Sequence, residues 1–475
     1  MGEVNKALKL LMVLLLLLAS LCFVGVKGYV EELQDEEVVK ERGGDEGEGG
    51  RRGLFMLGKA KKVVKTAGGE VRVVSGLRWK GEPNPMHIGF ISMEPNTLFI
   101  PQYIDSDLVL FVKSGEAKVG WIYKDKMVEK HLKKGDVNVI SAGSAFYIVN
   151  TGEGQKLHVI CSIDTSESIG HGPYESFFVG GGRYPTSVLA GFNTRTLTAA
   201  FNISSEELAM LMRSQRSGPI IYMNSEQMDQ SKKSYIDDDD DDDNVDDDED
   251  DVEDEDGTAF SWRKMLGGGG GDRTRETEMG RVRAPHAYNL YAEKPSFENS
   301  YGWSIAIDEH DYAPLKHTGV GVYLVNLTAG SMMAPHLNPQ ATEYGVVLCG
   351  SGTVQVVFPN GSTAMSAAVE EGDVFWVPRY FPFCQAASRR SGPMEFFGFT
   401  TSARRNRPQF LVGASSVLRS MRGPELAAAF DVGEEQLKEM VRAQRAGVIL
   451  PYSADQEDKK GEGEVDDMHG GFIIV

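Results

Sequence analysis

The sequence predicts a mainly β protein built as two β-rich domains in tandem, each followed by a short α-helical arm. Three observations carry this. From Val71 onward, short apolar runs of alternating character recur between turns rich in Gly and Asp. The signals of the first half return about 230 residues later, as a duplicated domain would require. Each β-rich region is followed by the start and face signals of amphipathic helices.

At 475 residues the chain is longer than one ordinary core needs, and two domains with linkers is the natural division. An apolar fraction of 41% supports globular packing, and 54 glycines suit a fold with many turns. The net charge of −20 is concentrated, because Asp237–Asp256 alone holds 17 carboxylates. The rest of the chain is close to neutral. No basic face with interleaved aromatics occurs, which argues against nucleic-acid binding.

In chain order, residues 1–28 have the form of a secretory signal. Lys6 and Lys9 precede the apolar core Leu10–Leu18, with Gly25 and Gly28 as small residues for cleavage. The alternative is an uncleaved anchor over Leu8–Val26; after signal cleavage no membrane association is expected. Residues 29–70 are charged and Gly-rich, the composition of a disordered segment. Residues 71–222 form the first domain. Glu70–Val74, Leu108–Val112, Ala117–Tyr123 and Val137–Ile140 read as strands. Ser114-Gly115-Glu116 is expected to close a tight hairpin between two of them, and Lys134-Gly135-Asp136 marks another turn.

Ser204-Ser205-Glu206-Glu207 is a capping box, and Leu208, Leu211 and Met212 lie on one face of the helix it opens. Residues 223–283 join the halves through the Asp run and then five glycines, Gly267–Gly271, a composition that forms no core. Residues 284–452 repeat the plan. Pro424 follows Gly423 at a first-turn position, and Leu437, Met440 and Val441 form the second apolar helix face. Both arms are expected to end at a C-terminal glycine, Gly218 and Gly447. Residues 453–475 are a flexible tail ending in Phe472–Val475.

Cys22 leaves with the signal, so Cys161, Cys349 and Cys384 remain, too few for a disulfide framework. The apolar strand patterns around two of them predict buried free thiols.

The densest motif is Gly330–Gly350. It runs Gly330, five residues, His336, one residue, Asn338, four residues, Glu343, six residues, Gly350. Gly372–Ala387 answers it across the strand pattern Thr353–Phe358. This pairing is similar to the two motifs of the cupin fold, and the resemblance implies two jelly-roll β-barrels in tandem, each followed by its helical arm. In a metal-binding cupin the first motif supplies two histidines and a glutamate, and the second a further histidine. By that resemblance His336 and Glu343 occupy two of the four positions, while Asn338 and Phe383 replace the other two histidines. In the first half Gln102 and Phe146 stand where His336 and Phe383 stand in the second. The implication is a barrel kept and a metal chemistry lost.

The stretch Pro335–Phe399 and the run Asn406–Gly413 also resemble the vicilin-type seed globulins, within a match over residues 71–222 and 284–452. The resemblance implies disc-shaped homotrimers joined through the helical arms. It also implies an amino-acid reserve with no catalytic centre, carried by the secretory pathway to protein storage vacuoles; an extracellular destination is the alternative. Some vicilins place a cysteine two residues before the first histidine, where this chain has Ala334. Gln and Asn together number 28, and Met numbers 19, so the reserve is modest in side-chain nitrogen and generous in sulfur.

One histidine, one carboxylate and one amide make a poor set for a transition metal, so no metal, cofactor or catalytic residue is expected. A site of His336, Glu343 and Cys384 would need Cys384 to share the face of Phe383, and the strand pleat turns it away. No Gly-x-Ser-x-Gly elbow or Cys–His pairing is present. Asn202, Asn326 and Asn360 are glycosylation candidates, with Asn360-Gly361-Ser362 expected at a hairpin tip. The tail Phe472–Val475 resembles the sorting tails by which storage globulins engage a vacuolar sorting receptor. Two other functions remain open: a bicupin holding a small molecule such as a sugar in its barrel, and a metal-dependent cupin using the degenerate site.

Overall fold

A computed structural model describes residues 53–77, 85–166, 168–170, 172–231, 284–404 and 406–452. The expected signal (1–28), the charged segment as far as residue 52, the linker from residue 232 to 283 and the tail 453–475 lie outside the described residues. No helix among the described residues is long and apolar enough to cross a membrane.

Each half is a pair of antiparallel sheets. In the first, a seven-stranded sheet faces a six-stranded one; in the second, a six-stranded sheet faces a seven-stranded one. The repeat seen in the sequence is kept in space. Leu108–Ser114 corresponds to Glu343–Cys349, Ala117–Tyr123 to Ser351–Val357, Phe146–Asn150 to Phe383–Ala387, and Leu157–Ile163 to Met394–Thr400.

Leu108–Val112 is apolar at every position because its sheet is buried on both faces. Leu108, Leu110 and Val112 point into the first barrel, whereas Val109 and Phe111 pack in a core continuous with the second. There Phe111 stacks on Phe397, ring centroids 3.9 Å apart and planes 9° from parallel. At the rim of this contact Lys113 Nζ donates to Glu371 Oε1 at 2.7 Å.

Ser114-Gly115-Glu116 does not close a hairpin. Leu108–Ser114 and Ala117–Tyr123 belong to different sheets, so Gly115 is a corner where the chain changes sheet. Its φ of +88° is a left-handed value, and a Cβ there would meet the Lys156 carbonyl oxygen at 2.7 Å. Gly350 makes the equivalent corner in the second half, with φ +78°. The true hairpin in the first half is Ala117–Tyr123 with Lys126–Leu132, turning at Lys124-Asp125, both with positive φ.

The ordered body begins earlier than residue 71. Phe55 is fully buried among Trp376, Phe381 and Phe358 of the second half. Leu57 N donates to Val374 O at 2.9 Å, and Trp376 N to Phe55 O at 3.0 Å. Lys61–Lys65 then forms a strand against Gly69–Val74. Composition missed this because four apolar residues, Leu54, Phe55, Met56 and Leu57, sit inside a long charged run.

The halves are also not divided cleanly at residue 284. Tyr288–Asn289 pairs with Asp136–Ile140 of the first barrel, and that strand corresponds to Val374–Val377, which receives the Phe55 segment. Each barrel's edge is therefore closed by the segment that leads into the other barrel.

Both arms are helical. Thr194–Phe201 and Ser205–Ser214 form the first; Val417–Ser420, Pro424–Ala429 and Glu434–Ala443 form the second. The capping box is present: Glu207 N donates to Ser204 Oγ at 3.2 Å, and Ser204 N to Glu207 Oε2 at 2.8 Å. The long helices do not end at glycine. Gln215 and Gln444 stop them in extended conformation, and Gly218 and Gly447 instead precede Ile220–Tyr222 and Ile449–Pro451. Those strands return to the barrel the arm left, pairing with Phe99 and Met333 respectively. Leu208 and Leu437 are buried, but Met210, Leu211, Phe430 and Met440 on the arms remain exposed.

Cys161 is buried and Cys384 half-buried, but Cys349 is exposed. It closes its strand just after the register shift at Val347, which carries it out of the packed region.

Candidate functional site

A cavity of about 720 Å³ opens in the second barrel. Ile305, Val322, Val325 and Phe396 supply an apolar wall, and His336, Asn338, Glu343 and Gln385 a polar one. The inner space is therefore only partly filled by aromatic rings.

His336 lies on the two-residue strand His336–Leu337, between Phe383 on one side and Phe410 on the other. The Phe383 ring stands 4.1 Å from the imidazole, centroid to centroid, and packs against it where a further histidine would have met a metal. His336 Nδ1 is 2.7 Å from the Ala334 carbonyl oxygen. A carbonyl only accepts, so Nδ1 carries the proton and Nε2 is left as a bare acceptor. Burial holds the imidazole pKa down at about 4, with the Ala334 bond opposing it.

Asn338 is two residues on and shares the inward face. Its Oδ1 accepts from the backbone N–H groups of Gln340 and Ala341, each at 3.0 Å. That fixes the amide so that Nδ2 faces Glu343 and donates to Oε1 at 2.9 Å. Glu343 opens its strand opposite Val377 and Thr400 and is buried. Burial raises its carboxyl pKa to about 7, against the lowering pull of Asn338.

A bound metal needs lone pairs turned to a common point. Asn338 offers hydrogens in that direction, and Phe383 offers nothing. His336 Nε2 and Glu343 are the only two donors of the four positions, which do not fit a transition-metal first shell. Cys384 points to the other face, with Sγ 3.7 Å from Gln355 Oε1. Among the described residues no group of three or more His, Cys, Asp or Glu is arranged to hold a metal ion.

The first barrel repeats the substitution. Gln102 is paired directly with Phe146, as His336 is with Phe383. Its amide is fully buried, with neither atom reaching a protein partner.

Gln385 was not among the sequence candidates. It lies on the cavity wall, 2% exposed, and its Oε1 has no protein partner. Period-2 alternation from Phe383 was the signal that could have found it. Tyr323 was missed as well: it donates its hydroxyl to the Tyr344 carbonyl at 3.1 Å and forms part of the same wall.

Of the glycosylation candidates, Asn360 is exposed at the tip between Ser351–Val357 and Thr363–Glu370. Asn202 is exposed at the junction of two helices, with φ +54°. Asn326 is half-buried, and its Nδ2 donates to Glu395 Oε2 at 2.9 Å.

Residues 55–209 and 288–438 each match the family model described as cupin. The chain is 50% identical over 429 residues to a vicilin-like seed storage protein of Arabidopsis thaliana, covering 87% of this chain and 83% of that one. A second protein of that description from the same plant is 33% identical over 381 residues, 78% of this chain and half of its own length. Among solved structures, the vicilin of hazelnut, Corylus avellana, superposes with a TM-score of 0.66 at 23% identity, over 83% of this chain and 97% of that one. The vicilin of Capsicum annuum gives 0.69 at 21%, over 84% and 100%. Both share the fold.

Proposed function

Because the chain belongs to the cupin family and, within it, to the vicilin-like seed storage proteins, we propose that it serves the plant seed as a non-catalytic reserve of amino acids. The observation that carries this is the 50% identity, extending over most of both chains, to a protein of that description. The degenerate donor set around His336 supports it, since the barrel has kept its strands while two of the four ligand positions have become Asn338 and Phe383. Quantitative mass spectrometry through seed maturation and germination tests the role. The protein is expected to accumulate late in maturation and to fall after imbibition; a low, constant level in seed and leaf would overturn it.

The finer reading is a homotrimer assembled through the helical arms, carried by a cleaved signal into the secretory pathway and on to storage vacuoles. The C-terminal tail is the segment offered to a sorting receptor, and Asn360 is the sequon best placed for a glycan. Exposed Leu211 and Met440 on the two arms support assembly, because the barrel that bears them leaves them uncovered. Leu211→Glu with Met440→Glu is expected to convert a trimer to a monomer by light scattering. An unchanged mass would place the interface elsewhere.

The cavity favours a second reading, a small molecule held inside the second barrel. Native mass spectrometry of tissue-purified protein is expected to show a small adduct that mild activation removes. A spectrum of bare chains would remove this reading.

A further inference from the structure

Around Glu343 several hydrogens of the cavity wall are already committed. Asn338 Nδ2 donates to Glu343, the Tyr323 hydroxyl to the Tyr344 carbonyl, and Thr400 Oγ1 to the Ser402 carbonyl at 3.0 Å. Four acceptors on the wall have no protein donor: His336 Nε2, Gln385 Oε1, Asn406 Oδ1 and, once the carboxyl is ionised, the second oxygen of Glu343. Any molecule that satisfies them must bring its own N–H or O–H groups.

Charge separates the two kinds of donor. Glu343 is a buried carboxyl whose hydrogen-bond partner is a neutral amide, and among the described residues no cation forms an ion pair with it. An uncompensated buried charge is costly, so with no cation beside it the carboxyl keeps its proton up to about pH 7. A polyol brings no charge to pair with it, and an anion would face Glu343, Asp308 and Asp311 together. A protonated amine supplies hydrogens and the opposite charge, and so lets the carboxyl ionise in place. Asp308 and Asp311 also line the cavity, and Arg407, the only Lys or Arg among the described residues of its wall, is exposed.

We propose that the second-barrel cavity binds a small molecule carrying a primary ammonium group, with Glu343 as its counter-ion and His336 Nε2 and Gln385 Oε1 as further acceptors. The hydrocarbon part of the ligand lies against Ile305, Val322 and Phe396. This assignment rests on the reading of the cavity as a ligand site, and it deepens that reading by naming the chemical class.

Three probes with one carbon skeleton test it on the intact protein by ligand-observed NMR titration: n-butylammonium, n-butanol and butyrate. Butylammonium is expected to saturate, with butanol and butyrate at least tenfold weaker. Glu343→Gln should weaken butylammonium at least tenfold and leave butanol unchanged. Gln385→Met, a variant that keeps the carboxyl, should weaken it several-fold, so the test survives if Glu343→Gln does not fold. Equal binding of the three probes, preference for butyrate, or full butylammonium affinity in both variants overturns the proposal. Saturable binding of butanol or butyrate alone would overturn the ammonium class and leave the ligand site standing, whereas bare chains in the native spectrum would remove the ligand site itself.

Discussion

Phe55→Ala is expected to destabilise the full chain by about 3–5 kcal/mol, read as a lowered midpoint in urea denaturation. The ring is fully buried, with centroids 5.4 Å from Trp376 and 5.6 Å from Phe381. Alanine there leaves a cavity bounded by rigid aromatic rings, which cannot collapse to fill it. Phe55→Leu, which keeps most of the volume, should cost about 1.5 kcal/mol or less. The effect belongs to the second barrel although the residue precedes the first. A loss below about 1 kcal/mol for the alanine variant would show that the segment is not part of the folded body.

The second large effect concerns pH. In the native state His336 is held neutral down to about pH 4 and Glu343 neutral up to about pH 7. Unfolded, the two titrate near their ordinary values of 6.5 and 4.5. Below pH 6.5 the unfolded imidazole binds a proton that the native one refuses, so its contribution to stability rises with pH from 4 to 6.5. Above pH 4.5 the native carboxyl keeps a proton that the unfolded one has lost, so its contribution falls from 4.5 to 7. Each spans about 3 kcal/mol. Between pH 4.5 and 6.5 the two slopes are opposite and cancel.

Removing one partner exposes the other. Relative to the parent, Glu343→Gln is expected to gain about 3 kcal/mol of stability between pH 4.5 and 6.5, and His336→Gln to lose about as much. Denaturant midpoints at several pH values check this, because the remaining carboxylates and imidazoles, Asp308, Asp311 and His310 near the cavity among them, contribute equally to parent and variant. The Tyr323 hydroxyl does not titrate in this range. Parallel profiles for parent and variants would sink the account.

Much of this was legible beforehand, and for identifiable reasons. Alternation at Leu108–Val112 and Ala117–Tyr123 is a property of neighbours in the chain, as is the box Ser204–Glu207. The inward face shared by His336 and Asn338 follows from strand period alone. Ser114-Gly115-Glu116 misled because a tight glycine turn looks the same whether the next strand returns to its own sheet or crosses to the facing one. Gln385 carried the right alternation but no motif to draw attention to it.

Motif spacing and duplication, with the family resemblance they carry, were enough to specify two barrels with helical arms and their family, and to show Asn338 and Phe383 standing at two of the four ligand positions. Three features were decided only when the chain was packed: the exchange of edge segments at Phe55 and Tyr288, the double burial of the sheet bearing Phe111, and the open space beside Glu343. Each depends on side chains up to hundreds of residues apart competing for one volume, and that competition leaves no periodic trace along the chain.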